Sequence, residues 1–248
     1  MARPAARPDA AGKLTRAVVA ECVGTALLLV AVVGSGIMGE RLSDGNVAIA
    51  LLANSMATGA ALVVLILTFG PVSGAHFNPA VSLADATQGS MSWPTAGRYV
   101  AAQVSGALAG VAVANLMFDE PVFAPSRHVR AGWPLALGEF VATFGLLGVI
   151  WSGSRRRPAA LPFAVGAYIT AAYWFTSSTS FANPAVTLAR MMTPTFTGIR
   201  PQDTPMFLVA QVLGAAAAVA LFRWLVPVES VGPSLARHEA QLRSSHSA

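Results

Sequence analysis

Six apolar runs alternate with short polar segments along the chain, at approximately 17–38, 47–69, 96–117, 134–152, 159–176 and 205–226. Each is close to the ~20 residues that a helix needs to cross the hydrocarbon of a bilayer. Helix is the only spanning element such isolated runs support, because a lone strand leaves backbone N–H and C=O groups unpaired in lipid. Two shorter segments, one between the second and third runs and one between the fifth and sixth, match each other. The first is Gly74-Ala75-His76-Phe77-Asn78-Pro79-Ala80-Val81-Ser82-Leu83-Ala84; the second is Phe181-Ala182-Asn183-Pro184-Ala185-Val186-Thr187-Leu188-Ala189-Arg190. Asn is a strong N-cap, and Pro suits the first helical position, where its missing N–H would have gone unpaired anyway. Each Asn-Pro-Ala is therefore predicted to open a short helix of about ten residues, too short to cross the bilayer. The order is three spans and one half-helix, repeated.

The repeat extends beyond these tripeptides. Glu21-Cys22-Val23-Gly24-Thr25 in the first run parallels Glu139-Phe140-Val141-Ala142-Thr143 in the fourth, and Ala102-Gln103-Val104-Ser105-Gly106-Ala107 parallels Ala210-Gln211-Val212-Leu213-Gly214-Ala215. An odd number of spans per copy forces the second copy to lie inverted in the membrane, so the half-helices enter from opposite faces. Broken helices in corresponding positions of two inverted halves are a sequence pointer to a permeation site.

Composition agrees with a membrane protein. Of the 248 residues, 54% are apolar and 11% charged, against about 25% charged in a soluble domain. The net charge of +5 does not point to nucleic acid: 15 of the 16 basic residues are Arg, scattered between apolar runs without aromatic interleaving. Their placement reads as topology instead. Arg3, Arg7, Lys13, Arg16, Arg98, Arg155, Arg156, Arg157, Arg223, Arg237 and Arg243 fall on one side; Arg41, Arg127, Arg130, Arg190 and Arg200 fall on the other. That bias predicts a multi-pass protein of the plasma (inner) membrane with both termini cytoplasmic. Residues 1–16 and 227–248 read as cytoplasmic tails around a channel domain at 17–226, with repeat one at about 17–117 and repeat two at about 134–226. The run from Ala17 exceeds the roughly 7–15 apolar residues of a signal-peptide core and is expected to stay as the first span. The single Cys22 cannot form an intrachain disulfide.

Several polar residues inside apolar runs carry candidate chemistry. A carboxylate at Glu21 or Glu139 is expensive in lipid unless partnered. Either could be a proton or ion site, or an anchor accepting backbone N–H bonds from the re-entrant segments. Gln103 and Gln211 lie at similar depth. His76 is either a satisfied structural residue or a group bordering the pathway. Small residues such as Gly106 and Gly110 sit at spacings that let helices approach closely. No Ser/His/Asp grouping, metal-ligand cluster or phosphate-binding loop stands out, so neither an enzyme nor a cofactor or metal site is predicted.

Taken together, these residues resemble the aquaporin family, the major intrinsic proteins, over roughly 14–226. The likeness rests on both Asn-Pro-Ala boxes, Ser73-Gly74-Ala75-His76-Phe77 before the first, and the paired Glu and Gln residues. It implies an all-α fold of six tilted helices and two half-helices meeting at mid-membrane, assembled as a homotetramer with one pore per subunit. It also implies that Glu21, Glu139, Gln103 and Gln211 brace the re-entrant loops, and that His76 borders the cytoplasmic pore. The pore centre would be Asn78, Pro79, Ala80, Asn183, Pro184 and Ala185, with both prolines packed where the half-helices touch. Two positive helix ends would then face each other there and disfavour cations. With the Asn oxygens capping backbone N–H groups, their NH₂ groups would face the lumen, and a passing water would accept hydrogen bonds rather than relay a proton.

One departure from the family pattern matters. Many relatives carry Arg directly after the second Asn-Pro-Ala, and this chain has Val186. Counting from the boxes without gaps, the outer constriction becomes Thr58, Ala171, Ser180 and Val186: wide, free of arginine and mildly polar. Pore width and lining donors set selectivity, so the expected cargo is water together with glycerol-like polyols, urea or neutral metalloid acids such as arsenous acid. A water-selective aquaporin is the alternative; a proton-coupled carrier working through Glu21 or Glu139, or a non-conducting scaffold, is further off. Arg190 lies one turn beyond Val186 on the same helix face. It could place a positive charge in the outer vestibule; the plainer expectation is snorkelling to headgroups or pairing with the loop before the sixth span.

Overall fold

The computed structural model describes residues 10–226. They form eight α-helices: α1 (Ala10–Leu42), α2 (Val47–Ser73), α3 (Pro79–Thr87), α4 (Trp93–Met117), α5 (Trp133–Arg156), α6 (Leu161–Phe175), α7 (Pro184–Arg190) and α8 (Thr204–Leu225). Residues 10–16, read above as tail, belong to α1; the C-terminal tail from 227 lies outside the described residues. Five helices, α1, α2, α4, α5 and α8, are long and apolar enough to cross a membrane. At 15 residues α6 is about 22 Å long, short of a hydrocarbon core of about 30 Å, and the 3₁₀ turn Pro158–Ala160 extends it.

The packing follows the repeat. α1 packs along α4 as α5 packs along α8, and α1 meets α2 as α5 meets α6. Across the two halves α2 lies against α6, α3 touches α8 and α7 touches α4. The closest approaches also correspond. A methyl group at Gly106 would collide with the backbone carbonyl of Cys22, and one at Gly214 with that of Phe140. These two glycines hold matching positions in the two copies and let helix backbones meet directly.

The short helices run toward opposite ends. Gln88, the C-cap of α3, accepts a hydrogen bond from Arg155 near the end of α5, beside the end of α8. The carbonyl of Arg190, the last residue of α7, accepts from the N–H of Ile199 in the loop that precedes α8. Their first turns touch. Both half-helices therefore start at one interior spot and diverge from it.

Candidate functional site

The asparagines begin the site. The Asn78 side-chain oxygen accepts from the N–H of Ala80 at 2.9 Å, and that of Asn183 accepts from Ala185 at 3.0 Å and Val186 at 3.3 Å. Each cap also reaches across: Asn78 Nδ2 donates to the carbonyl of Ala182, and Asn183 Nδ2 to the carbonyl of Phe77, both at 2.8 Å. One N–H of each amide is thus engaged by protein, and not both face the lumen as read from sequence. Pro79, Ala80 and Ala185 are buried and Pro184 half-buried around this junction.

The chain reaches each asparagine through strained backbone. Ala75 and Phe77 have φ of 52° and 49°, and Ser180 and Ala182 have 51° and 48°. Left-handed non-glycine residues cost on the order of 1 kcal/mol or more each and persist only where surroundings over-determine them. Here Ser73 and Ser178 hydroxyls hold the N–H groups of Ala75 and Ser180, and two buried carboxylates hold those of Phe77 and Ala182. Glu21 accepts from the N–H groups of His76 (2.9 Å) and Phe77 (2.6 Å), from Ser73 Oγ (2.7 Å) and from Gln103 Nε2 (2.8 Å). Glu139 accepts from the N–H groups of Phe181 (2.8 Å) and Ala182 (2.9 Å) and from Gln211 Nε2 (2.6 Å). Each Gln binds its half-helix too, Gln103 through Ser82 and Gln211 through Thr187. Both carboxylates are fully buried, and neither lines the cavity described next.

A cavity of about 100 Å³ follows the re-entrant segments. His76 and Ile150 line one end, Asn78 and Asn183 the middle, and Thr58, Tyr173, Ser180, Val186 and Arg190 the other. Leu28, Leu62, Ile66, Val165 and Ile169 give it an apolar wall. His76 both borders the cavity and is hydrogen-bonded, its Nδ1 lying 3.0 Å from Ser82 Oγ.

The outer end needs a correction. Ala171 does not line it: α6 turns Val165, Ile169, Ala172 and Tyr173 inward and leaves Ala164, Ala167, Ala171 and Trp174 exposed on the other face. The gap-free count from the second box falls two residues short of Tyr173, the residue of α6 that lines this end. Tyr173 holds the place instead, its phenol 3.2 Å from Thr58 Oγ1. The helical period of the fifth run, followed through Val165 and Ile169, was the signal that points to it.

Arg190 does not snorkel. It is 2% exposed, its Nε donates to the carbonyl of Thr197 in the loop before α8, and its guanidinium carbon sits 3.4 Å from the centroid of the Phe181 ring. A second cation shares that ring. Arg130, from the connection between α4 and α5, places its guanidinium carbon 5.0 Å from the same centroid. It is held by Gly198 O at 2.8 Å, Thr179 Oγ1 at 3.3 Å and Ser178 O at 3.4 Å, and its backbone N–H donates to Asp203 at 2.8 Å. Burial pulls the Arg130 pKa down to about 10, with Glu139 and Tyr173 opposing the shift, so it stays charged at neutral pH. Burial, with Arg130 and Arg190 nearby, likewise holds the His128 imidazole below its ordinary range. No sequence signal singled out Arg130 or Phe181, because the contact joins a loop to a re-entrant segment.

With this geometry in view, the comparison with known proteins decides the family. Residues 10–176 and 154–247 each match the major intrinsic proteins. The chain belongs to the major intrinsic protein family. Aquaglyceroporin AqpS of Rhizobium meliloti (strain 1021) is 57% identical over 213 residues, covering 86% of this chain and 91% of the relative. The probable aquaporin NIP7-1 of Arabidopsis thaliana is 29% identical over 213 residues, covering 84% and 76%. The X-ray structure of the aquaglyceroporin from Plasmodium falciparum superposes with a TM-score of 0.70 over 84% of this chain and 95% of that one, at 20% identity, and so shares the fold. This major intrinsic protein is a multi-pass membrane channel for small solutes and not an enzyme.

Proposed function

We propose that the protein is a passive pore for water and for uncharged solutes larger than water: glycerol-like polyols, urea and neutral metalloid acids such as arsenous acid. The observation that carries this reading is the mixed lining of the outer cavity. Tyr173, Thr58 and Arg190 offer hydrogen-bonding groups there, interleaved with the apolar Leu62, Ile66, Val186 and Phe181. A polyol or oxyacid carries the same mixture, hydroxyls on a carbon or metalloid skeleton. The name of the 57%-identical relative, an aquaglyceroporin, supports the same class. Val186 in place of the arginine of many relatives, with the charge of Arg190 one turn further out, argues for a mouth wider than that of a water-selective pore.

In this reading Thr58, Tyr173, Ser180, Val186 and Arg190 form the outer constriction. Glu21, Glu139, Gln103 and Gln211 brace the re-entrant segments, and Asn78 and Asn183 meet solute at the centre. The positive ends of α3 and α7 disfavour cations at the point where dehydration is most costly. The protein works in the plasma (inner) membrane with both termini cytoplasmic, as the excess of basic residues on that side favours, and assembles as a homotetramer with a pore in each subunit.

Stopped-flow light scattering of proteoliposomes under water, glycerol, urea and arsenite gradients tests it. Conductance to glycerol and at least one of the other solutes above protein-free vesicles is the expected result. Water conductance alone would leave a water-selective pore. The Arg190→Ala variant is expected to change the ratio of solute to water flux; an unchanged ratio would remove Arg190 from the constriction.

A further inference from the structure

Arg190 and Arg130 share one aromatic ring without a carboxylate between them. Arg190 Nε is matched by the carbonyl of Thr197, while its four terminal N–H groups meet no protein acceptor among the described residues, and the side chain lines the cavity. Arg130 uses Nε and Nη1 on loop acceptors, and its Nη2 has none among the described residues. The two carboxylates that act on this cluster are occupied. Asp203 pairs with Arg200 at 2.8 Å, and Glu139 is filled by Phe181, Ala182 and Gln211. Buried cations normally have a counter-ion, because desolvation without one is costly. The Phe181 ring compensates only in part, since a cation–π contact is weaker than an ion pair of two full charges.

We propose that the outer mouth carries a binding site for a small, planar, monovalent oxyanion, of the nitrate or carboxylate kind, held by Arg190 with Arg130 behind it. A guanidinium presents parallel N–H donors that match two oxygens of such an anion, whereas a spherical halide cannot use the fork. The two cations lie within about one Debye length of each other at ~0.1 M salt, so their attraction for an anion adds. An anion seated there stands in the path of neutral solutes. To move inward it must give up a full guanidinium charge for the partial charges of two helix ends, in a lining otherwise apolar or neutral apart from His76, so it is held at the mouth. Extracellular oxyanions thus act as reversible plugs of the channel, and this inference rests on the reading of Arg190 as part of the pore wall.

The test replaces chloride by nitrate at constant ionic strength around full-length protein in proteoliposomes, and separately titrates nitrate into detergent-solubilised protein by calorimetry. Nitrate is expected to lower glycerol conductance severalfold and to give a saturable binding heat that sodium chloride does not. Arg130→Gln is expected to lose both effects and Arg130→Lys to keep them in weakened form, because charge survives without the fork. Arg190→Gln should abolish the binding heat. Equal conductance in nitrate and chloride together with no binding heat would overturn the site, as would undiminished nitrate binding in the Arg130→Gln, Arg190→Gln double variant. Should the wild type conduct no glycerol, the solute reading fails and the calorimetry still decides the anion site.

Discussion

Asn78 and Asn183 clasp each other's approach. Each donates from its amide to the carbonyl of the residue that precedes the other asparagine, at 2.8 Å in both directions, while its own oxygen caps the half-helix it begins. The reciprocity locks two helix starts, from segments more than a hundred residues apart in sequence, into one junction. One N–H remains on each amide. With both asparagines lining the cavity, the centre offers donors and two positive helix ends, a setting hostile to a hydrated cation.

Replacing Asn78 or Asn183 by Asp keeps an N-cap, since Asp caps about as well as Asn. It removes the cross-donor and sets a carboxylate against the carbonyl of Ala182 or Phe77. Either variant is expected to lose about 1–3 kcal/mol of stability and to leak protons or cations that the wild type excludes. Thermal denaturation in detergent reads the first, and a pH-sensitive dye trapped in proteoliposomes the second; a variant as tight as wild type would show that the helix ends alone suffice.

Glu139→Ala leaves the N–H groups of Phe181 and Ala182 and one N–H of the Gln211 amide without an acceptor in a buried site. Each unmet donor costs about 1–3 kcal/mol, so the variant should melt well below wild type and yield little folded protein. Glu21→Ala should behave alike through His76, Phe77 and Gln103. An unchanged melting temperature with altered proton dependence would instead make these carboxylates proton sites.

At the outer end, Tyr173→Phe deletes the phenol that meets Thr58. A hydrogen bond of about 0.5–1.5 kcal/mol corresponds to roughly a two- to tenfold shift in the glycerol-to-water flux ratio. Ala171→Leu, on the exposed face of the same helix, should leave that ratio alone. The opposite pattern would return Ala171 to the pore.

The alternation of apolar runs was enough to foresee six helices, because lipid allows few other ways of satisfying a backbone. The two boxes were equally legible: Asn and Pro have position-specific roles at a helix start, and a duplicated start between triplets of spans implies an inverted repeat. Glu21 and Glu139 announced themselves by being charged in apolar company. What stayed hidden were contacts between segments with no shared period. Ala171 stood in for Tyr173 because a count through the irregular stretch 176–183 cannot track where α6 ends and extended chain begins. Arg130 and Phe181 looked like an ordinary loop cation and an ordinary aromatic until the fold laid one over the other.

Helix contact supplies another check. Gly106→Val pushes a branched side chain into the Cys22 carbonyl at the α1–α4 crossing and is expected to prevent folding, as overpacking of a backbone contact has no flexible partner to yield. Gly97→Ala, in the same helix with open space at its Cβ, should be neutral or stabilising by up to about 1 kcal/mol. Detergent-resistant yield after expression compares them directly, and a well-folded Gly106→Val protein would contradict the close crossing.

The most direct measurement loads proteoliposomes with a pH-sensitive dye and follows glycerol entry and internal pH in the same vesicles after mixing. The expected result is glycerol flux that is linear in its gradient, with proton flux no faster than in protein-free vesicles. Glycerol entry that saturates, that an imposed proton gradient drives, or that acidifies the interior in step with uptake would contradict a passive pore with two opposed helix ends at its centre.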